Sequence, residues 1–97
     1  MAYTEANVLG IVKARLNRLA SDTSLDEYLK KRIEAADAEL ARNGIKLIAD
    51  NVDDEVLLAD YVVWRYQNRD SNTGMPEWLR LARRERWLKE RGANDTG

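Results

Sequence analysis

From Val56 to Tyr66 the chain has almost no polar side: Val56, Leu57, Leu58, Tyr61, Val62, Val63, Trp64 and Tyr66 fill successive helical turns. A helix without a polar face is central to its bundle or partly covered by another chain, because apolar area left in water forfeits about 25 cal/mol per Å². The other segments must therefore pack around this one. They have the right pattern. Val8, Leu9, Val12, Leu16 and Leu19 recur at helical spacing behind Thr4, a candidate N-cap, which predicts helix one over about 5–20. After the cap-rich break Ser21-Asp22-Thr23-Ser24, the residues Leu25, Tyr28, Leu29, Ile33, Ala36 and Leu40 form the stripe of helix two. Ser24 and Glu27 stand at capping-box spacing before it, and pairs such as Asp26 with Lys30 are expected to lace its outer face.

Asn43-Gly44 ends helix two, since glycine reaches the left-handed C-cap conformation without a Cβ penalty. The apolar run Ile45 to Ala49 then reads as a packed connector lying extended across the core, strand-like if a partner edge is available. Asp53 is the expected cap of helix three, with Asp54 and Glu55 in its first turn complementing the helix dipole. Asp70 to Gly74 reads as a loop, and Pro76, the only proline, suits the first turn of helix four. Trp78, Leu81, Ala82 and Leu88 approximate that helix's inward face, with Leu79 and Trp87 to its sides. The expectation is an all-α fold: one compact four-helix domain over 1–91 with a short extended connector between helices two and three, and a flexible tail over 92–97. At 97 residues there is room for one core only.

The charged residues nearly cancel, leaving a net charge of −1. That argues against a general polyanion-coating protein. Locally the balance is uneven. Pro76 to Arg91 carries Arg80, Arg83, Arg84, Arg86, Lys89 and Arg91 against Glu77, Glu85 and Glu90, a local +3. Residues 1–75 carry ten basic and thirteen acidic residues, a local −3. Such polarity suits head-to-tail docking of identical subunits. Without cysteine or histidine the chain has no disulfide, no soft metal ligand and neither of the commonest nucleophiles and bases, so no catalytic or metal residue and no cofactor is assigned. Asp53-Asp54-Glu55 has no recognised cation-loop geometry and reads as helix capping. A reducing, intracellular site of synthesis is expected, with no membrane span and no secretory leader in the polar, non-basic start Met1 to Leu9.

Five of the seven aromatic residues, Tyr61, Trp64, Tyr66, Trp78 and Trp87, fall between Asp60 and Leu88. Singly each reads as core. Together they exceed what a core of this size hides easily, and tryptophan, tyrosine and arginine are enriched at interfaces. Tyr66, Arg69, Arg84 and Trp87 are therefore candidates for an oligomeric or partner interface. Nucleic-acid binding by the arginine-rich fourth helix is the alternative, with Arg80, Arg83, Arg84, Arg86 and Arg91 on phosphates and Trp87 on a base or sugar. On the helical wheel Arg86 points away from the face shared by 80, 83, 84, 87 and 91, and the interleaved glutamates oppose a polyanion.

Several short motifs, in order and at their spacing over about residues 25–91, resemble the head-tail connector proteins (adaptor, or head-completion, proteins) of long-tailed bacteriophages. They are Asn43-Gly44-Ile45-Lys46-Leu47, the acidic start Asp53-Asp54, Leu57-Leu58-Ala59-Asp60-Tyr61, Trp64-Arg65-Tyr66-Gln67-Asn68-Arg69, Met75-Pro76, Leu79-Arg80-Leu81-Ala82 and Arg86. Arg84-Glu85 and Lys89-Glu90 depart from that pattern. The resemblance implies a non-catalytic virion protein that is made in the bacterial host cytoplasm and sits at the head-tail interface. It would add as a dodecameric ring to the portal protein, extend the DNA exit channel for the passing genome without sequence-specific binding, and offer its far side to a stopper or tail-completion protein. The homo-oligomer or portal contacts then fall to Tyr66, Arg69, Met75, Trp78, Arg80, Arg84, Trp87 and Arg91. Replacing Trp87 by alanine and Arg84 by glutamate is expected to leave the monomer folded and abolish ring formation.

Overall fold

Helices α1 (Glu5–Arg15), α2 (Asp26–Arg42), α3 (Val52–Gln67) and α4 (Glu77–Asp95) succeed one another in a computed structural model that describes residues 5–19, 21–48, 51–70 and 74–95. The expected all-α four-helix class is what forms, with no strand among the described residues. The central position of α3 follows from its apolar circumference: it packs on all three other helices, whereas α4 packs on α3 alone. Leu58, Ala59, Tyr61, Val62 and Val63 of α3 are buried with Val8, Leu9 and Val12 of α1 and Leu29, Ile33, Ala36 and Leu40 of α2, and Leu57 is buried outside that cluster. The connector after α2 packs on the core through Ile45 and Leu47, which are buried, while Lys46 and Ile48 are exposed.

Two helix ends have the same construction. At α2 the N–H of Ile45 donates to the Leu40 carbonyl (2.9 Å) and that of Gly44 to Ala41 (3.0 Å), with Gly44 at φ 88°. This is the Schellman arrangement, completed by packing of the buried Ile45 and Leu40. At α1 the N–H of Arg18 donates to Lys13 (2.8 Å) and that of Asn17 to Ala14 (3.1 Å), with Asn17 at φ 59°. Asparagine tolerates the left-handed region better than other residues with a Cβ, so α1 stops at Arg15 rather than near residue 20 and Leu19 is left exposed.

Three further expectations are corrected. The Ser24 amide and hydroxyl both donate to Asp22 Oδ1 (3.0 and 2.7 Å), a local turn that replaces the Ser24–Glu27 capping box; α2 starts without a side-chain cap. Asp26 reaches across to the buried Lys13 of α1 (2.9 Å) instead of pairing with Lys30, which lies beside Glu27 (3.7 Å). Helix α3 is capped by Asn51, whose side chain accepts from the Asp54 N–H (3.1 Å), and not by Asp53. The Thr4 cap, the centre of the Asp70–Gly74 loop and the last two residues of the tail lie outside the described residues; α4 itself runs past Arg91 to Asp95.

The largest departure concerns the rotation of α4. Leu79 is fully buried, while Trp78, Leu81 and Leu88 are about half exposed (52%, 45% and 49%). The inward face consists of Leu79 with Ala82, Arg83, Arg86, Trp87 and Glu90 part-buried along the same side, and the stripe expected to face inward faces solvent.

Candidate interaction surface

What fixes the rotation is an arginine. Arg86 donates from Nε to Asp54 Oδ1 (2.7 Å) and from Nη2 to Asp54 Oδ2 (3.2 Å) and the Lys46 carbonyl (2.7 Å). Its Nη1 donates to Glu90 Oε2 one turn on (3.0 Å). The Arg86 and Asp54 side chains are 9% and 5% exposed. Asp54 also accepts the Ile48 N–H (2.8 Å), so one carboxylate joins α4, the connector and the start of α3. The hydrogen bond that Arg86 donates to Asp54, ahead of the other causes, raises the Arg86 pKa above its usual value. A buried pair this well satisfied specifies geometry more than it adds stability: any other rotation of α4 strands two charges in apolar surroundings. Trp87 supplies the second constraint. Its indole packs on the core and lies against Gly44, where an added Cβ would fall 3.3 Å from Nε1.

With these two residues turned inward, α4 presents two adjoining features outward. The first is the apolar stripe Trp78, Leu81 and Leu88, interrupted by the exposed Glu85. Between this side of α4 and α3 runs a shallow groove bordered by Val56, Asp60, Ala82, Glu85 and Lys89, and Val52 on α3 is exposed as well. The second feature is a cleft of about 390 Å³ lined by Arg80, Arg83, Arg84, Trp87, Asn43 and Ile45. No acidic side chain lines it. Arg80 has only a solvated contact with Glu77 (3.8 Å), and among the described residues neither Arg83 nor Arg84 has an acidic partner. Arg91 lies over the Trp87 ring, its guanidinium carbon 5.0 Å from the centroid.

The eight expected interface residues divide. Arg80, Arg84 and Arg91 are exposed around the cleft and Trp78 is exposed on the stripe. Trp87 and Met75 are partly buried against the core, so Trp87 serves the monomer's own packing and its truncation is no clean probe of an interface. Tyr66 and Arg69 belong to a separate cluster. Tyr66 meets Tyr28 edge-on (6.1 Å) and carries the Arg69 guanidinium over its ring (4.3 Å), while Arg69 donates to the Tyr66 carbonyl. Leu81 and Leu88 are exposed residues that helical spacing assigned to the inward face. Their signal was the presence of two apolar stripes on one helix, of which a monomer can cover only one.

Elsewhere the polar residues are occupied in holding the bundle. Glu55 accepts from Asn7 (3.2 Å), Asp60 pairs with Arg15 and Glu39 with Arg65 (3.1 Å). Asp54 and Glu55 at the start of α3 are thus part of the packing while Asp53 is exposed, and among the described residues no cluster could hold a metal ion. No helix is long and apolar enough to cross a membrane. No family model, no curated protein and no solved structure matches the chain.

Proposed function

We propose that the protein is a non-catalytic assembly protein, a head-tail connector that forms a ring beneath the portal of a long-tailed phage, extends the DNA exit channel and offers a docking surface to the stopper or tail. One observation carries the reading beyond the motif resemblance: Trp78, Leu81 and Leu88 face solvent on a helix that has already spent its other side on the core. Apolar area of this kind, rimmed by arginines, has the composition of an interface centre. The test is molar mass by light scattering over a wide concentration range, alone and with the portal, for the wild type and for Trp78→Ala with Leu81→Glu. The expected result is a discrete ring, or portal-dependent association, that the double variant loses while keeping its helical circular dichroism. Assembly unchanged by the variant overturns the interface.

The arginines of the cleft favour a second reading, direct nucleic-acid binding by α4, because three guanidinium groups stand together without close acidic partners. A salt-dependent shift of duplex DNA by dilute monomer, with a slope set by the number of phosphate contacts, would replace the first reading with this one.

A further inference from the structure

The cleft carries an inference about what the surface recognises. We infer that Arg80, Arg83 and Arg84, with Trp87, Asn43 and Ile45, form a binding site for an extended acidic segment of a protein partner, one with carboxylates on alternate residues. The proposal rests on reading this surface as an assembly face and names the chemistry of the partner.

The cations are free to bind. Of the basic residues on the inner half of α4, Arg86 is consumed by Asp54, Glu90 and the Lys46 carbonyl. Arg83 and Arg84 have no acidic partner among the described residues, and the Arg80 contact with Glu77 is long and exposed on both sides. Guanidinium forks match carboxylates two bonds at a time, and such charge-assisted pairs are about twice as strong as neutral hydrogen bonds. The spacing also fits. Residues 80 and 84 are one helical turn apart, about 6 Å along the axis. Carboxylates two residues apart in an extended peptide project on one side about 6.6 Å apart. Ile45 and the Trp87 indole give the cleft an apolar wall, and Asn43 adds a polar side chain to its lining.

Base stacking on Trp87 would have to displace Arg91, which lies over its ring.

The experiment is fluorescence anisotropy on the full chain at low and at physiological salt. The probe is a labelled peptide of about a dozen residues alternating glutamate or aspartate with leucine and serine. Its all-amide counterpart, and single-stranded and duplex oligonucleotides of equal charge, are the comparison ligands. The expected result is that the acidic peptide binds, the amide peptide does not, and Arg80→Gln with Arg84→Gln weakens binding at least tenfold. Arg42→Gln, an exposed arginine at the end of α2, should leave it within twofold. Equal binding of acid and amide peptides, no effect of the double variant, or tighter binding of either oligonucleotide overturns the proposal; the last outcome transfers the site to nucleic acid. A chain that stays monomeric with or without portal yet binds the peptide through these arginines overturns the ring reading alone. A chain that assembles but does not distinguish acid from amide overturns the cleft alone.

Discussion

At the scale of single residues, Arg86 decides more than any other side chain. Removing one partner of a buried ion pair leaves the other charge uncompensated, so Arg86→Ala is expected to lower stability by about 3–5 kcal/mol, measured by urea unfolding. Arg86→Lys should recover only part of this, because an ammonium cannot serve both Asp54 oxygens and the Lys46 carbonyl in one plane. Tyr61 gives a pH signature. Burial first, then its hydrogen bond to Glu39, pushes the phenol up to about 12. The fold holds the neutral form, so its contribution is complete below about pH 10, where the unfolded phenol begins to ionise. It falls as pH rises from there toward about 12, by about 2–3 kcal/mol in all. Tyr61→Phe should remove that share of the alkaline slope in denaturation curves collected between those pH values; an unchanged slope would assign it to other groups.

At the scale of elements, the junctions matter more than the helices. Gly44 adopts a left-handed φ and touches Trp87, so Gly44→Ala combines a backbone penalty of about 1–2 kcal/mol with a contact that pushes the indole out of place. Its expected trace is a drop in melting temperature together with a shift in tryptophan emission, and emission unchanged would mean that the indole had not moved. Among the helices α4 packs only on α3, it meets the connector through Arg86 and Trp87, and its one fully buried apolar side chain is Leu79. Its amides should therefore exchange with solvent faster than those of α2 and α3, through an opening that leaves the other three helices in place. Uniform protection across all four helices would mean that α4 unfolds only with the whole.

At the scale of the molecule, α1, α2 and α3 pack on one another pairwise and α4 joins them through one ion pair, one leucine and one indole. Its outer face exposes Trp78, Leu81 and Leu88. Trp78→Ala with Leu81→Glu should lower monomer stability by about 1–3 kcal/mol and leave the fold intact, since each side chain is about half exposed and neither belongs to the described core. Any assembly should be lost. Thermal melts of dilute protein alongside light scattering of concentrated protein separate the two effects.

Periodicity and turn chemistry made much of this legible in advance. The apolar circumference of Val56 to Tyr66 required a central helix, and Asn43-Gly44 required a stop at α2, because these are properties of the local chain. The apolar run from Ile45 likewise marked a packed connector. Caps were less legible: Ser24 and Asp53 each had a plausible local role, and the winner depended on which amide or charge came near. Asp26, for example, was drawn to Lys13 on another helix. The rotation of α4 was not in the sequence's local pattern at all. Trp78, Leu81 and Leu88 make the more hydrophobic stripe, and spacing alone turns it inward. Only in three dimensions does Asp54 stand where Arg86 reaches it, and the cost of leaving that pair unmade outweighs the apolar area that stays exposed.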